Sequence, residues 1–164
     1  MWKNIANKYI QMKERELLFK YMHEILPTRK RMSSIGQGSS ECLYCGAEES
    51  NIHFVYQCIS YKPTLEWFKA LLSKCCNFNP NMIKISMFNL PNINRIEKNT
   101  CIILLATYIT NIWISRKLGL TPTAAIRLIK SKIMYNKFIN LHRLKDKFGT
   151  FFTDTYQNLE YGNM

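Results

Sequence analysis

Four residues that suit a soft metal ion stand close together: Cys42, Cys45, His53 and Cys58, in the spacing Cys-x2-Cys-x7-His-x4-Cys. Thiolate and imidazole are donors that Zn²⁺ prefers, and Cys3His in a tetrahedron is one of its usual structural sets. Two residues between the first two cysteines is the spacing of a knuckle that wraps the ion with its own backbone. Gly46 follows Cys45 directly, where such a turn often needs positive φ. Ser50 is placed to cap a short helix that carries His53 and ends near Cys58. The bland alternative is a set of free core cysteines and a surface histidine. Two close cysteines with a His and a Cys at knuckle range argue against it. The sequence therefore predicts a zinc site liganded by Cys42, Cys45, His53 and Cys58. Four strong ligands leave no open coordination position, so the expected site is closed and structural.

Other chemistry finds no residues to carry it. Polymerase or nuclease chemistry needs clustered carboxylates to hold two metal ions. The only aspartates are Asp146 and Asp154, and Glu49, Glu66 and Glu97 are far apart in sequence. The deaminase pattern, His-x-Glu with a later Pro-Cys-x-x-Cys, is absent. So are a Tyr/Phe-x-Asp-Asp motif, a Walker loop and a nucleophile elbow. The expectation is a chain that is not an enzyme.

The residues flanking the cysteines carry a resemblance. Trp2-Lys3 is followed by Leu17-Leu18-Phe19-Lys20-Tyr21-Met22-His23-Glu24-Ile25-Leu26-Pro27-Thr28-Arg29 and Arg31-Met32, which lead into Cys42. Glu48-Glu49-Ser50-Asn51-Ile52-His53-Phe54 then leads to Cys58, with Trp67 downstream. This order resembles the zinc-binding (CCHC) domain that follows the polymerase in non-LTR retrotransposon reverse transcriptases. It covers residues 2–70, and more loosely Leu104–Lys117 with its Ile112-Trp113-Ile114-Ser115-Arg116. The resemblance implies an accessory domain without the enzyme domains. Such a domain would hold template RNA or target DNA beside a reverse transcriptase polymerase domain. It also implies a fragment of a decayed element, a domesticated gene or an excised domain.

The elements that position these residues are helical. A chain of 164 residues, 47% of them hydrophobic, is long and apolar enough to bury a real core as a single domain. Trp2, Ile5, Tyr9 and Met12 recur at helical spacing, as do Leu17, Leu18, Tyr21, Met22 and Ile25, up to Leu26-Pro27. The polar block from Lys13 to Glu16 either lies inside one long helix or divides two. Pro63 and Thr64 start a helix through Leu65, Trp67, Phe68, Leu71 and Leu72, with Trp67 read as core. Asn94 caps a helix that runs to Leu118, with Gly119 as its C′ residue. Thr121-Pro122 opens a last helix that runs to Phe148 and turns Ile126, Ile129, Ile133, Phe138 and Leu141 inward. The fold class is mainly α, a single helical domain stapled by a small Cys3His knuckle. Its parts are an N-terminal helical segment (1–34), the knuckle (35–62), the completing helices (63–148) and a tail (149–164).

Charge points to partners. Lys and Arg number 23 against 11 acids, a net +12, which favours polyanions: nucleic acid first, an anionic membrane surface second. The most apolar run, Cys101–Ile114, holds Thr107, Thr110 and Asn111 and is too short to cross a bilayer, so a core helix and no membrane partner are expected. The N-terminus lacks the apolar run of a signal peptide, and Cys75 and Cys76 are adjacent and badly placed to bridge each other. Reduced thiols and an intracellular location, nucleus or cytoplasm, follow as the expectation.

Two basic surfaces are candidates for phosphate contact. Arg29, Lys30 and Arg31 lie beside the knuckle and face no acid close in sequence, as either a solvated surface or a phosphate site. The last helix carries Arg127, Lys130, Lys132, Lys137, Arg143, Lys145 and Lys147 against the single acid Asp146. Solvated faces normally mix signs, so this stripe is read as tracking RNA or DNA phosphates. Tyr44 and Phe54, next to ligands, either stack on bases or pack in the core. His23 reads as a hydrogen-bonded side chain. The competing function is a protein-interaction module whose zinc only stabilises the scaffold, with the basic face meeting an acidic protein.

Overall fold

The computed structural model describes residues 6–7, 9–76, 81, 88–90 and 95–143, with their side chains except for 74–76, 96–97 and 136–143. In chain order the elements are α1 (Met12–Met22), α2 (Arg29–Ser34), a π-helical turn (His53–Gln57), a 3-10 turn (Ile59–Tyr61), α3 (Lys62–Cys76), α4 (Arg95–Lys117) and α5 (Pro122–Arg143). The molecule is mainly helical. Among the described residues the one strand-like pairing is an isolated antiparallel bridge between Glu41 and Glu48.

The most apolar run of the chain becomes the axis. From Thr100 to Arg116 only Ile114 is exposed. A helix that is apolar all round has to be enclosed, and α4 is packed by α1, α3, α5 and the π turn. Leu105, Ile109 and Ile112 are wholly buried, and each such side chain stabilises the fold by about 1.5–3 kcal/mol. The polar members of the run bond back into the helix. Thr110 Oγ1 donates to Ala106 O at 2.8 Å, and Asn111 Nδ2 to Thr107 O at 2.7 Å. α5 lies on α4 through Ala125, Ile129 and Ile133, all buried, while Ile126 is only half-buried. The Thr121 hydroxyl accepts the Ala124 N–H at 3.3 Å, so the expected cap before Pro122 is present. Asn94, Phe138, Leu141 and most of the connector between α3 and α4 lie outside the described residues or side chains.

The first helix differs from the periodic pattern. The polar block from Lys13 lies inside α1, and the break comes before it, at Gln11, whose N–H donates to the Glu14 carboxylate at 3.3 Å. Met12, on the periodic pattern, is 83% exposed. At the other end α1 stops at Met22, short of Leu26-Pro27. Glu24 takes φ +56°, and the Ile25 N–H closes the helix on Lys20 O at 2.9 Å. A left-handed residue ends a helix as a glycine would. Ile25 is thereby turned outward and Leu26 inward. The basic triplet then begins a helix of its own: Thr28 caps α2 by accepting the Arg31 N–H.

Candidate metal centre

The loop between α2 and α3 is built to hold four donors on one point. The Glu41–Glu48 bridge closes the first half, with the Cys42 N–H on Ala47 O at 2.7 Å. The chain turns between them at Gly46, whose φ of +77° suits glycine and whose N–H returns to Cys42 O at 2.9 Å. In the second half the Ser50 hydroxyl accepts the His53 N–H at 3.1 Å, the expected cap. The helix it opens then widens: the Cys58 N–H bonds to His53 O, five residues back, at 2.9 Å. Tyr108 of α4 reaches into this π turn and donates its hydroxyl to Val55 O at 2.9 Å.

The donor atoms converge. Cys42 Sγ and Cys58 Sγ are 3.9 Å apart, Cys58 Sγ and Cys45 Sγ 3.8 Å, and Cys45 Sγ and His53 Nε2 3.4 Å. All four lie within 4.8 Å of one another. A tetrahedral ion with usual zinc bond lengths requires edges of about 3.8 Å between sulfurs and about 3.6 Å from sulfur to nitrogen. The donor set therefore fits a metal ion of that size. The three cysteines are free, Cys42, Cys58 and His53 are buried, and Cys45 is half-buried. Cys101 is also free and buried, on α4, outside the cluster. The side chains of Cys75 and Cys76 are outside the described set.

One further residue touches the donors, and the spacing of the motif does not point to it. Arg116, in the last turn of α4, has a side chain only 4% exposed. Its Nη2 donates to Cys42 Sγ at 2.8 Å and to Glu49 Oε2 at 2.7 Å. The guanidinium carbon stands 4.8 Å from the Tyr44 ring centroid and 5.2 Å from that of Tyr61. The same two tyrosines finish the helix. Tyr44 donates its hydroxyl to Arg116 O at 2.9 Å, and Tyr61 donates to Leu120 O. Gly119, at φ +67°, is the expected C′ residue. The cysteine loop is thus also the cap of the central helix.

Electrostatics follow from these contacts. Burial pushes the Cys42 thiol up, but hydrogen bonds from the Tyr44 N–H, from Arg116 and from the Cys45 N–H outweigh it and hold it below the ordinary thiol value. Burial and the neighbouring sulfurs push Cys45 up. Burial, then the nearby Arg116 charge, holds His53 low and so favours the neutral imidazole that binds metals. Burial works against the Arg116 charge, yet its bonds to Glu49 and the sulfurs keep it above the ordinary arginine value.

The basic triplet is less free than its sequence neighbourhood suggests. Lys30 is paired with Glu48 at 2.7 Å, an acid brought in from the cysteine loop. Arg31 Nη1 donates to Glu24 O at 3.1 Å, and the half-buried Arg29 places its N–H 3.4 Å from Glu49 Oε1. The triplet faces no acid close in sequence, but the loop folds back and brings one to it from further along the chain. Beside it lies an open groove of about 390 Å³, whose polar lining includes Lys30, Arg31, Ser34, Ser50 and Asn51. On α5, Arg127 is exposed and Lys130 lies 5.8 Å from the ring of the half-buried Trp67. Lys132 turns instead to Gln11 Oε1, at 3.4 Å. The side chains of Lys137 and Arg143, and Lys145 as a whole, lie outside the described set. Of the aromatic candidates, Phe54 is 1% exposed between Tyr21 and Trp113, and Tyr44 is committed to Arg116. Phe54 belongs to the core, and the half-buried Tyr44 packs against it. His23 lies against the Phe19 ring at 4.3 Å.

Comparison with protein-family models, with curated proteins and with solved structures yields no match. Among the described residues no helix is long and apolar enough to cross a membrane.

Proposed function

We propose that this chain is a zinc-stapled helical module that binds nucleic acid and performs no catalysis of its own. The observation that carries the zinc reading is the convergence of Cys42, Cys45, His53 and Cys58 within 4.8 Å. A thiolate-rich tetrahedron selects zinc over harder ions such as magnesium or calcium, and four protein donors leave no position for water or substrate. Bound there, zinc supplies cohesion: about 10–16 kcal/mol of apparent binding energy in small structural sites, comparable to a domain's net stability.

Support for nucleic acid comes from charge. With a net +12 over the whole chain, only Lys20, Lys30, Lys69 and Arg116 form ion pairs among the described residues. Arg31 at the groove and Arg127 and Lys130 on α5 remain to meet phosphates, joined by Lys137, Arg143 and Lys145 further along the chain. The resemblance to the zinc-binding domain of non-LTR retrotransposon reverse transcriptases supports the same reading. It suggests a place beside a polymerase domain on template RNA or target DNA, inside the cell. The alternative, a module that meets an acidic protein, is favoured by one observation: Lys30 already accepts a carboxylate partner.

Metal analysis of the purified chain should give one zinc per molecule. Fluorescence anisotropy with labelled RNA and DNA oligomers over a range of salt separates the two readings. Phosphate neutralisation gives a log–log slope of about 0.7–0.9 per contact, and several contacts are expected. A flat salt response with weak binding to both oligomers rejects the nucleic-acid reading and leaves the protein partner.

A further inference from the structure

Arg116 is enclosed in a way that an ordinary helix-end cation is not. Basic residues in a last turn usually interact with the exposed carbonyls and with solvent. Here Nη2 is divided between a thiol sulfur and a carboxylate, and Nε and Nη1 have no hydrogen-bond partner among the described residues. The Tyr44 and Tyr61 rings near the guanidinium give the cation electrostatic contact in place of water. Glu49 fixes the direction of approach. Its N–H is held by Ser40 O at 2.9 Å, its carbonyl takes the Lys30 N–H at 3.1 Å, and its second carboxylate oxygen lies near the Arg29 N–H. The anion is thus anchored at the start of α2, and the guanidinium it grips is aimed at Cys42.

Resting on the zinc reading above, we infer that Arg116 is a positioning residue of the metal centre, one that orients the Cys42 thiolate and screens its charge. A zinc ion with three thiolates and a neutral imidazole carries one excess negative charge, and burying it is costly unless a cation is close. A charge-assisted hydrogen bond to one sulfur meets that need and draws electron density most directly from that sulfur. Cys42 becomes the least nucleophilic of the three thiolates. Cys45, half-buried and with no such partner in the described structure, is the most reactive. Partners that orient metal ligands typically contribute 10–100-fold to metal affinity.

The test uses the zinc-loaded full chain and the variants Arg116→Met, Arg116→Lys and Glu49→Gln. Zinc affinity is read by competition with a chromogenic chelator, folding by far-UV circular dichroism, and thiolate reactivity by mass-spectrometric mapping of iodoacetamide labelling. The expected result is a 10–100-fold loss of zinc affinity in Arg116→Met, with Cys42 labelling selectively accelerated relative to Cys45. Arg116→Lys, which keeps the charge, should restore part of the protection. Glu49→Gln, which keeps the arginine but weakens the grip that aims it, should shift the labelling order in the same direction as Arg116→Met, by less. A parallel rise at all three cysteines in Arg116→Met would mean that the arginine serves folding alone and would overturn the inference. So would an unchanged affinity and labelling order. If Arg116→Met fails to fold, the Lys variant decides: a parallel rise at all three cysteines there, in a folded sample, overturns the inference. A parent chain that binds no zinc removes the zinc reading itself, which metal analysis shows before any variant is made.

Discussion

The last turn of α4 and the outer face of α5 both present cations, and they use them in opposite ways. Arg116 is drawn inside, shared between Cys42 and Glu49 and flanked by two rings. Arg127, on the next helix, stands in solvent and forms no ion pair among the described residues. In the sequence the two look alike, each an arginine on a helix near other basic residues. The difference is made by what the cysteine loop brings to one of them. A buried cation with two partners acts on the packing around it, whereas the field of an exposed one reaches further into solvent.

The hardest way to break this contrast is to empty the loop. Cys58→Ser should release the metal and lower helix content, since the staple that caps α4 goes with it, at a cost on the scale of about 10–16 kcal/mol of apparent metal-binding energy. Cys101→Ser, buried on α4 but off the cluster, should keep one zinc per chain. Metal analysis and far-UV circular dichroism on the two variants check both outcomes.

Tyr108→Phe is a milder cut on the buried side. It removes the donor to Val55 O inside the core and should cost about 1–3 kcal/mol, read as a lower urea midpoint at unchanged slope. On the exposed side, changing Arg127 and Lys130 together to Ala should leave zinc content alone. It should flatten the salt dependence of RNA or DNA binding by about 1.4–1.8 units if both contact phosphates. The smallest effect sharpens the comparison instead of breaking it. Glu48→Gln frees Lys30 from its partner and should steepen that slope by about 0.7–0.9, one added phosphate, with the fold intact. An unchanged slope would mean that Lys30 does not reach the polyanion.

How much of this was legible depended on how local the cause was. The convergence of the four Cys and His donors, the Ser50 cap, the positive φ at Gly46 and the end of α4 at Gly119 each follow from residues a few positions apart, and each is present. The end of α1 was misread because Glu24, which has no special licence for positive φ, takes the place of a glycine. The partnership of Lys30 with Glu48 needs the loop to fold back across the intervening residues, and no periodicity encodes that. Arg116 is further still: it meets a cysteine 74 residues earlier, and a cation at a helix end reads as solvent-facing until the fold is known. The apolar pattern places an element, but the partners of its terminal charges are set by tertiary packing.

The π turn between His53 and Cys58 has a consequence for the spacing of the loop. Such a turn holds one residue more than an α-helical turn, and here the extra residue falls within the four-residue gap of the His-x4-Cys half. Deleting one of Val55, Tyr56 or Gln57 would let the turn relax to ordinary α geometry with the Cys58 N–H still on His53 O, now four residues back, so the sulfur of Cys58 would keep roughly its place around the helix axis. A loop with a gap of three would then reach the same point through an ordinary α turn. A gap of three in a sequence otherwise like this one is therefore compatible with the same set of four donors, whereas a gap of two is not.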